Sequence, residues 1–138
     1  MRTKLFSLIA AMAATVLVAL SAHAHHAFSA EFDSDRPIML EGTVTKWEWI
    51  NPHAWINVDV VNDDGETVAW RIEGGAPNAL IRRGWTKDSL PPGTEIVIEG
   101  FLARDGSNRA SGRSITFTDG SSLFVGSTGI GAAPGSEE

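Results

Sequence analysis

AWINVDVVNDDGETVAWRIE, residues 54–73, decides the fold. In its first half Ile56, Val58 and Val60 alternate with Trp55, Asn57 and Asp59. That is the two-residue period of a strand with one buried face. In its second half Val68, Trp70 and Ile72 share a face. Between them stands Asn62-Asp63-Asp64-Gly65. Asp-Gly tolerates the positive φ that tight hairpin turns require. The stretch therefore predicts two antiparallel strands, each with one apolar face.

The same grammar continues on both sides. Leu40 to Ile50 is rich in Thr, Val and Trp and suits a long strand. Gly42 inside it marks a bulge or a sharp bend. Pro52 cannot donate to a ladder, so Asn51-Pro52-His53 is a kink or loop. Downstream, Gly74-Gly75-Ala76-Pro77 ends the second strand of the hairpin. Asn78 can cap a short helix over Ala79–Arg83, stopped by Gly84. Pro91-Pro92-Gly93 turns the chain into a strand over Thr94–Leu102, with Ile96, Ile98 and Leu102 on one face. Asp105-Gly106-Ser107-Asn108 is a second hairpin turn. A strand over Arg109–Thr118, a third turn at Asp119-Gly120 and a short strand through Leu123 to Val125 complete the pattern. Three strands, a short helix, then two or three strands is the order of a small OB-like Greek-key barrel. The class is all-β with one short helix. An immunoglobulin-type β-sandwich is the alternative, and the position of the helix counts against it.

The ends of the chain read differently. Residues 1–24 carry Arg2 and Lys4, an apolar run from Leu5 to Leu20, and Ala22-His23-Ala24 with small residues at −3 and −1 of a cleavage site. That is the pattern of a secretory signal peptide. An uncleaved membrane anchor competes with it, because the run approaches spanning length. The small-residue site and the polar sequence behind it favour removal, which leaves no membrane segment and predicts a periplasmic, secreted protein. His25 to Pro37 reads as an N-terminal arm, residues 38–125 as the domain, and Gly126–Glu138 as a disordered tail of Gly, Ser, Ala and acid.

The 138 residues carry 11 Lys and Arg against 17 Asp and Glu, a net charge of −6. Loss of Arg2 and Lys4 with the signal moves it to −8, nine basic groups against the same 17 acidic ones. Such a surface repels phosphate backbones and argues against nucleic-acid binding. With no cysteine there is no disulfide, no thiolate ligand and no cysteine nucleophile.

Several motifs stand together: His25-His26-Ala27-Phe28, Phe32-Asp33, Gly42-Thr43-Val44, Trp49-Ile50-Asn51-Pro52-His53-Ala54-Trp55 and Arg82-Arg83-Gly84-Trp85. In combination they resemble a family of small secreted bacterial proteins classed as a domain of unknown function. The resemblance runs from about His25 to Phe124. It implies secretion and a compact β domain, and it draws attention to the histidines. It supplies no catalytic residues.

Three groups of residues could carry chemistry. The first is His25, His26 and His53. Cleavage after Ala24 would leave His25 with a free α-amine and an imidazole, a chelating pair on one residue. A nitrogen-rich site suits Cu(II), which heads the affinity order of the divalent metals. His26 offers a second way to chelate, through the amine and the intervening amide. Glu31, Asp33 or Glu73 could add oxygen ligands. The plain alternative is a solvated terminus, with His53 orienting its own loop. The second group is Trp47, Trp49, Trp55, Trp70 and Trp85. Trp70 belongs to the core, and the same holds for Trp47 or Trp49, whereas Trp55 shares its face with Asn57 and Asp59. Trp49, Asn51 and Trp55 would then form a surface for a protein partner in the periplasm or a small molecule. The third group is Arg82, Arg83, Lys87 and Arg71, able to hold an anion but explained equally by solubility.

No Ser-His-Asp order and no phosphate-loop pattern is readable. The sequence thus points to metal binding, copper first, in binding or delivery. Its alternative is a non-catalytic binding module using the Trp49–Trp55 loop.

Overall fold

The hairpin of residues 54–73 forms in the register its pattern predicts. In the computed structural model, which describes residues 28–127, β1 spans Phe32–Glu48, β2 spans Trp55–Val61 and β3 spans Thr67–Glu73. Ile56 lies opposite Ile72 and Val58 opposite Trp70. The Asn62 side chain accepts from the Asp64 and Glu66 amides at 3.1 and 2.8 Å, and Gly65 takes φ 81° at the turn. A short helix, Pro77–Ile81, follows. Then come β4 (Glu95–Ala103), β5 (Arg109–Phe117) and β6 (Ser122–Phe124). The expected signal peptide, His25 and His26 lie outside the described residues, as does the tail from residue 128 on. Among the described residues no helix is long and apolar enough to cross a membrane.

β1 is long because it serves two neighbours in turn. Residues 37–43 pair with β4, and residues 43–48 pair with β2. The change of partner falls at Gly42 and Thr43. A Cβ on Gly42 would stand 2.8 Å from the Asp59 carbonyl oxygen, so glycine here permits a close approach of two backbones. The irregularity in the β1–β2 ladder lies further on, between Val44 and Lys46. β1 also starts earlier than its apolar pattern suggests, so residues 32–37 of the expected arm are strand. Phe32 is the reason: it is 2% exposed and pairs with Ala103.

All six strands belong to one sheet, ordered β3-β2-β1-β4-β5-β6, with a further pairing of β3 to β5. That pairing is parallel and joins Arg71, Ile72 and Glu73 to Arg109, Ala110 and Ser111. It bends the sheet into a barrel-like ring, β1-β2-β3-β5-β4 and back to β1. A single sheet closed in this way is the OB-like arrangement, and the two separate sheets of a sandwich do not form.

Inside the ring lie Val44, Ile56, Val58, Ile72, Ile96, Ile98 and Ile115. Leu80 of the helix and Trp85 just beyond it join the same core. Trp85 is 1% exposed, and its indole N–H donates to the Phe124 carbonyl at 2.9 Å. The helix starts two residues before the sequence suggests. Pro77 occupies its first turn, where a missing N–H costs nothing, and Asn78 does not cap it. Gly84 at φ 89° ends the turn that follows. Gly126, expected to open the disordered tail, is buried instead, and its carbonyl accepts from Arg83 at 2.6 Å.

Gly42→Ala should lower stability by about 1–3 kcal/mol, because the new methyl group meets backbone rather than a flexible side chain. Urea unfolding at constant m-value checks this. An unchanged midpoint would mean that β1 and β2 can separate there without loss.

Candidate functional site

The ends of β2 and β3 set the site. Trp55 opens β2 and Glu73 closes β3, and they are register partners. His53 stands two residues before Trp55, just after the Asn51–Pro52 peptide bond, which is cis. The Glu73 carboxylate meets Nδ1 of the His53 ring. The Glu73 side chain is 12% exposed and that of His53 41%.

An ionised carboxylate only accepts, so Nδ1 must carry the proton. In the neutral ring the lone pair is then on Nε2. The hydrogen bond to Glu73 holds the imidazole pKa above its ordinary 6.5. The charges of Glu73 and Glu31 act in the same sense, and partial burial opposes them.

Beside this pair lies a platform of arginine and tryptophan. The Arg71 guanidinium sits over the Trp55 ring, 4.1 Å from its centroid, and that of Arg109 lies 5.7 Å from it. Glu48, the β1 partner of Trp55, accepts from Asn57 at 2.8 Å and lies 3.7 Å from Arg71. The bond from Asn57 is the main reason its carboxyl titrates below the usual range.

The N-terminal segment reaches the same side of the ring. Phe28 packs on Phe32 and on Phe101, with centroids 5.7 and 6.1 Å apart. Arg104 Nε donates to the Ser29 and Phe32 carbonyls at 2.8 and 3.0 Å. Glu31 accepts from Arg109 at 2.9 Å. His25 precedes Phe28 by three residues, a separation that spans at most about 10 Å of extended chain.

The structure thus joins His53, Glu73, Trp55 and Arg71, and brings Glu31 to their edge through Arg109. Glu31 is bound to Arg109, and Asp33 lies 3.4 Å from Arg104. Glu73 faces the His53 ring nitrogen that carries the proton, so it orients the imidazole. Among the described residues no group of three His, Asp or Glu side chains could hold a metal. Trp49 packs on Trp47 at 5.3 Å, and Trp47 in turn on Trp85 at 5.9 Å, so these indoles belong to the edge of the core. Asn51 is exposed. Arg83 is tied to Gly126 and stacks on Phe124 at 4.6 Å, which makes it structural. The sequence marks Arg109 only as the start of a strand. Only the parallel β3–β5 pairing brings it to Trp55, and no local pattern announces that pairing.

The chain matches the Family of unknown function (DUF6152) over residues 13–112, and it belongs to that family. Neither the curated proteins nor the solved structures contain a match.

Glu73→Gln should lower the His53 pKa, because the hydrogen bond and charge that raise it most are weakened or gone while burial remains. NMR titration of the His53 ring protons reads this directly. In the wild type the raised pKa stabilises the fold fully below pH 6.5, and the contribution is lost as pH climbs through the folded-state value. The stability gap between wild type and variant should therefore narrow as pH rises above 6.5 and through the folded-state value. It should stay within about 1 kcal/mol, because the exposed imidazole is screened by water.

Proposed function

We propose that this member of the family binds a divalent transition metal, with His53 Nε2 as the ligand supplied by the β domain. The observation that supports this reading is the engagement of His53 Nδ1 by Glu73. A metal-binding imidazole characteristically gives its other ring nitrogen to a carboxylate, which fixes the tautomer and raises ligand basicity. His25 and His26, from the segment that leads into Phe28, would supply the remaining nitrogens. A signal cut after Ala24 would add the α-amine of His25. That nitrogen-rich set favours Cu(II). Binding or delivery of copper in the periplasm follows as the role, and no catalytic residue is assigned.

The test uses protein that begins at His25, titrated with Cu(II) and followed by electron paramagnetic resonance. One tight site with nitrogen hyperfine structure is expected. His53→Ala should remove that signature while circular dichroism stays unchanged. Glu73→Gln should weaken binding by about 10–100-fold, the usual cost of losing the carboxylate behind a metal-binding imidazole. An extra alanine ahead of His25 should change the spectrum if the α-amine is a ligand. Tight binding that survives His53→Ala sinks the proposal.

A further inference from the structure

Arg71 and Arg109 are register partners across the parallel β3–β5 seam, so two cations stand side by side on one face. Like charges directly opposite destabilise a sheet pairing. Here they sit where the ring closes, on a seam of only three partner pairs. The chain has more acidic than basic residues, so alternatives to an arginine pair were at hand.

Three carboxylates stand near the pair, and each is either shared with another group or open to water. Glu48 stands 3.7 Å from Arg71, and the same Oε1 already accepts from Asn57 at 2.8 Å. Arg109 has Glu31 at 2.9 Å and Asp105 at 4.0 Å, and those side chains are 57% and 61% exposed. Carboxylates so open to water hold a cation weakly. Arg71 is also stacked on the Trp55 ring. Stacking takes the face of a guanidinium and leaves its N–H edge free, and that edge matches the two oxygens of a carboxylate or phosphate.

We infer that Arg71 and Arg109, held against Trp55, form a binding site for the oxyanion of a small ligand, a carboxylate or a phosphate. Glu31 occupies part of this site as an internal carboxylate that the ligand displaces from Arg109. The site needs no metal, so it stands or falls apart from the role of His53.

The experiment titrates metal-free protein with succinate and, separately, with inorganic phosphate at low ionic strength. NMR of the arginine Nε–Hε groups is the readout. Saturable shifts at Arg71 and Arg109 are expected with at least one probe, and the stronger of the two identifies the oxyanion. Arg71→Gln and Arg109→Gln should each weaken binding at least about tenfold, the loss expected for a charge-assisted hydrogen bond. Arg71→Lys keeps the charge but not the fork and should fall between. Arg82→Gln, at the end of the helix, should change nothing. Glu31→Gln should tighten binding by removing the competing carboxylate, which a purely structural Arg109 would not produce. Thermal melts establish that each variant is folded. No saturable shift with either anion, or binding that survives both glutamine variants, overturns the site.

Discussion

The short parallel seam between β3 and β5 is the constraint on which the rest depends. Three pairs of residues close the ring: Arg71 with Arg109, Ile72 with Ala110, and Glu73 with Ser111. The middle pair points inward, and both of its residues are fully buried. Because side chains alternate along a strand, Arg71, Glu73 and Arg109 fall on the opposite face, where Ser111 is covered. One contact therefore completes the core and sets two arginines beside a glutamate on the outer face. A seam of apolar residues throughout would close the ring but would leave that face without charge.

The outer face works by mutual constraint among charges. Glu73 fixes which nitrogen of His53 carries the proton, and His53 in turn covers a carboxylate that is largely buried. Arg71 and Arg109 share the Trp55 ring and draw on Glu48 and Glu31. No single pair here is deeply buried, so none contributes much to stability alone. Their value is positional. They fix one tautomer of a half-exposed imidazole and hold a guanidinium against an indole.

Much of this fold can be read along the chain, because strands and turns are local. The alternation of Ile56, Val58 and Val60 and the turn at Gly65 predict β2 and β3 nearly to the residue. Gly84, Gly93, Gly106 and Gly120 each stand where the sequence predicts a turn or stop, and each has positive φ. The reading slips where a distant partner decides. Phe32 extends β1 because Ala103 waits across the sheet, and Gly126 is held by Arg83. At the site, His53 and Trp55 stand out by residue type, and Glu73 by its carboxylate. That Glu73 should orient the His53 ring depends on cross-strand register.

The sequence by itself determined the all-β class, the succession of strands along the chain, the turns and the apolar faces, since each follows from neighbours a few residues apart. It also marked His53 and Trp55. Only the tertiary structure decided that Glu73 meets His53 and that Arg109 meets Arg71. The first is a side-chain contact just beyond the end of the hairpin, and the second runs through a parallel pairing with no local signature. A strand's pattern states which face is buried, but it does not name the strand that will lie beside it.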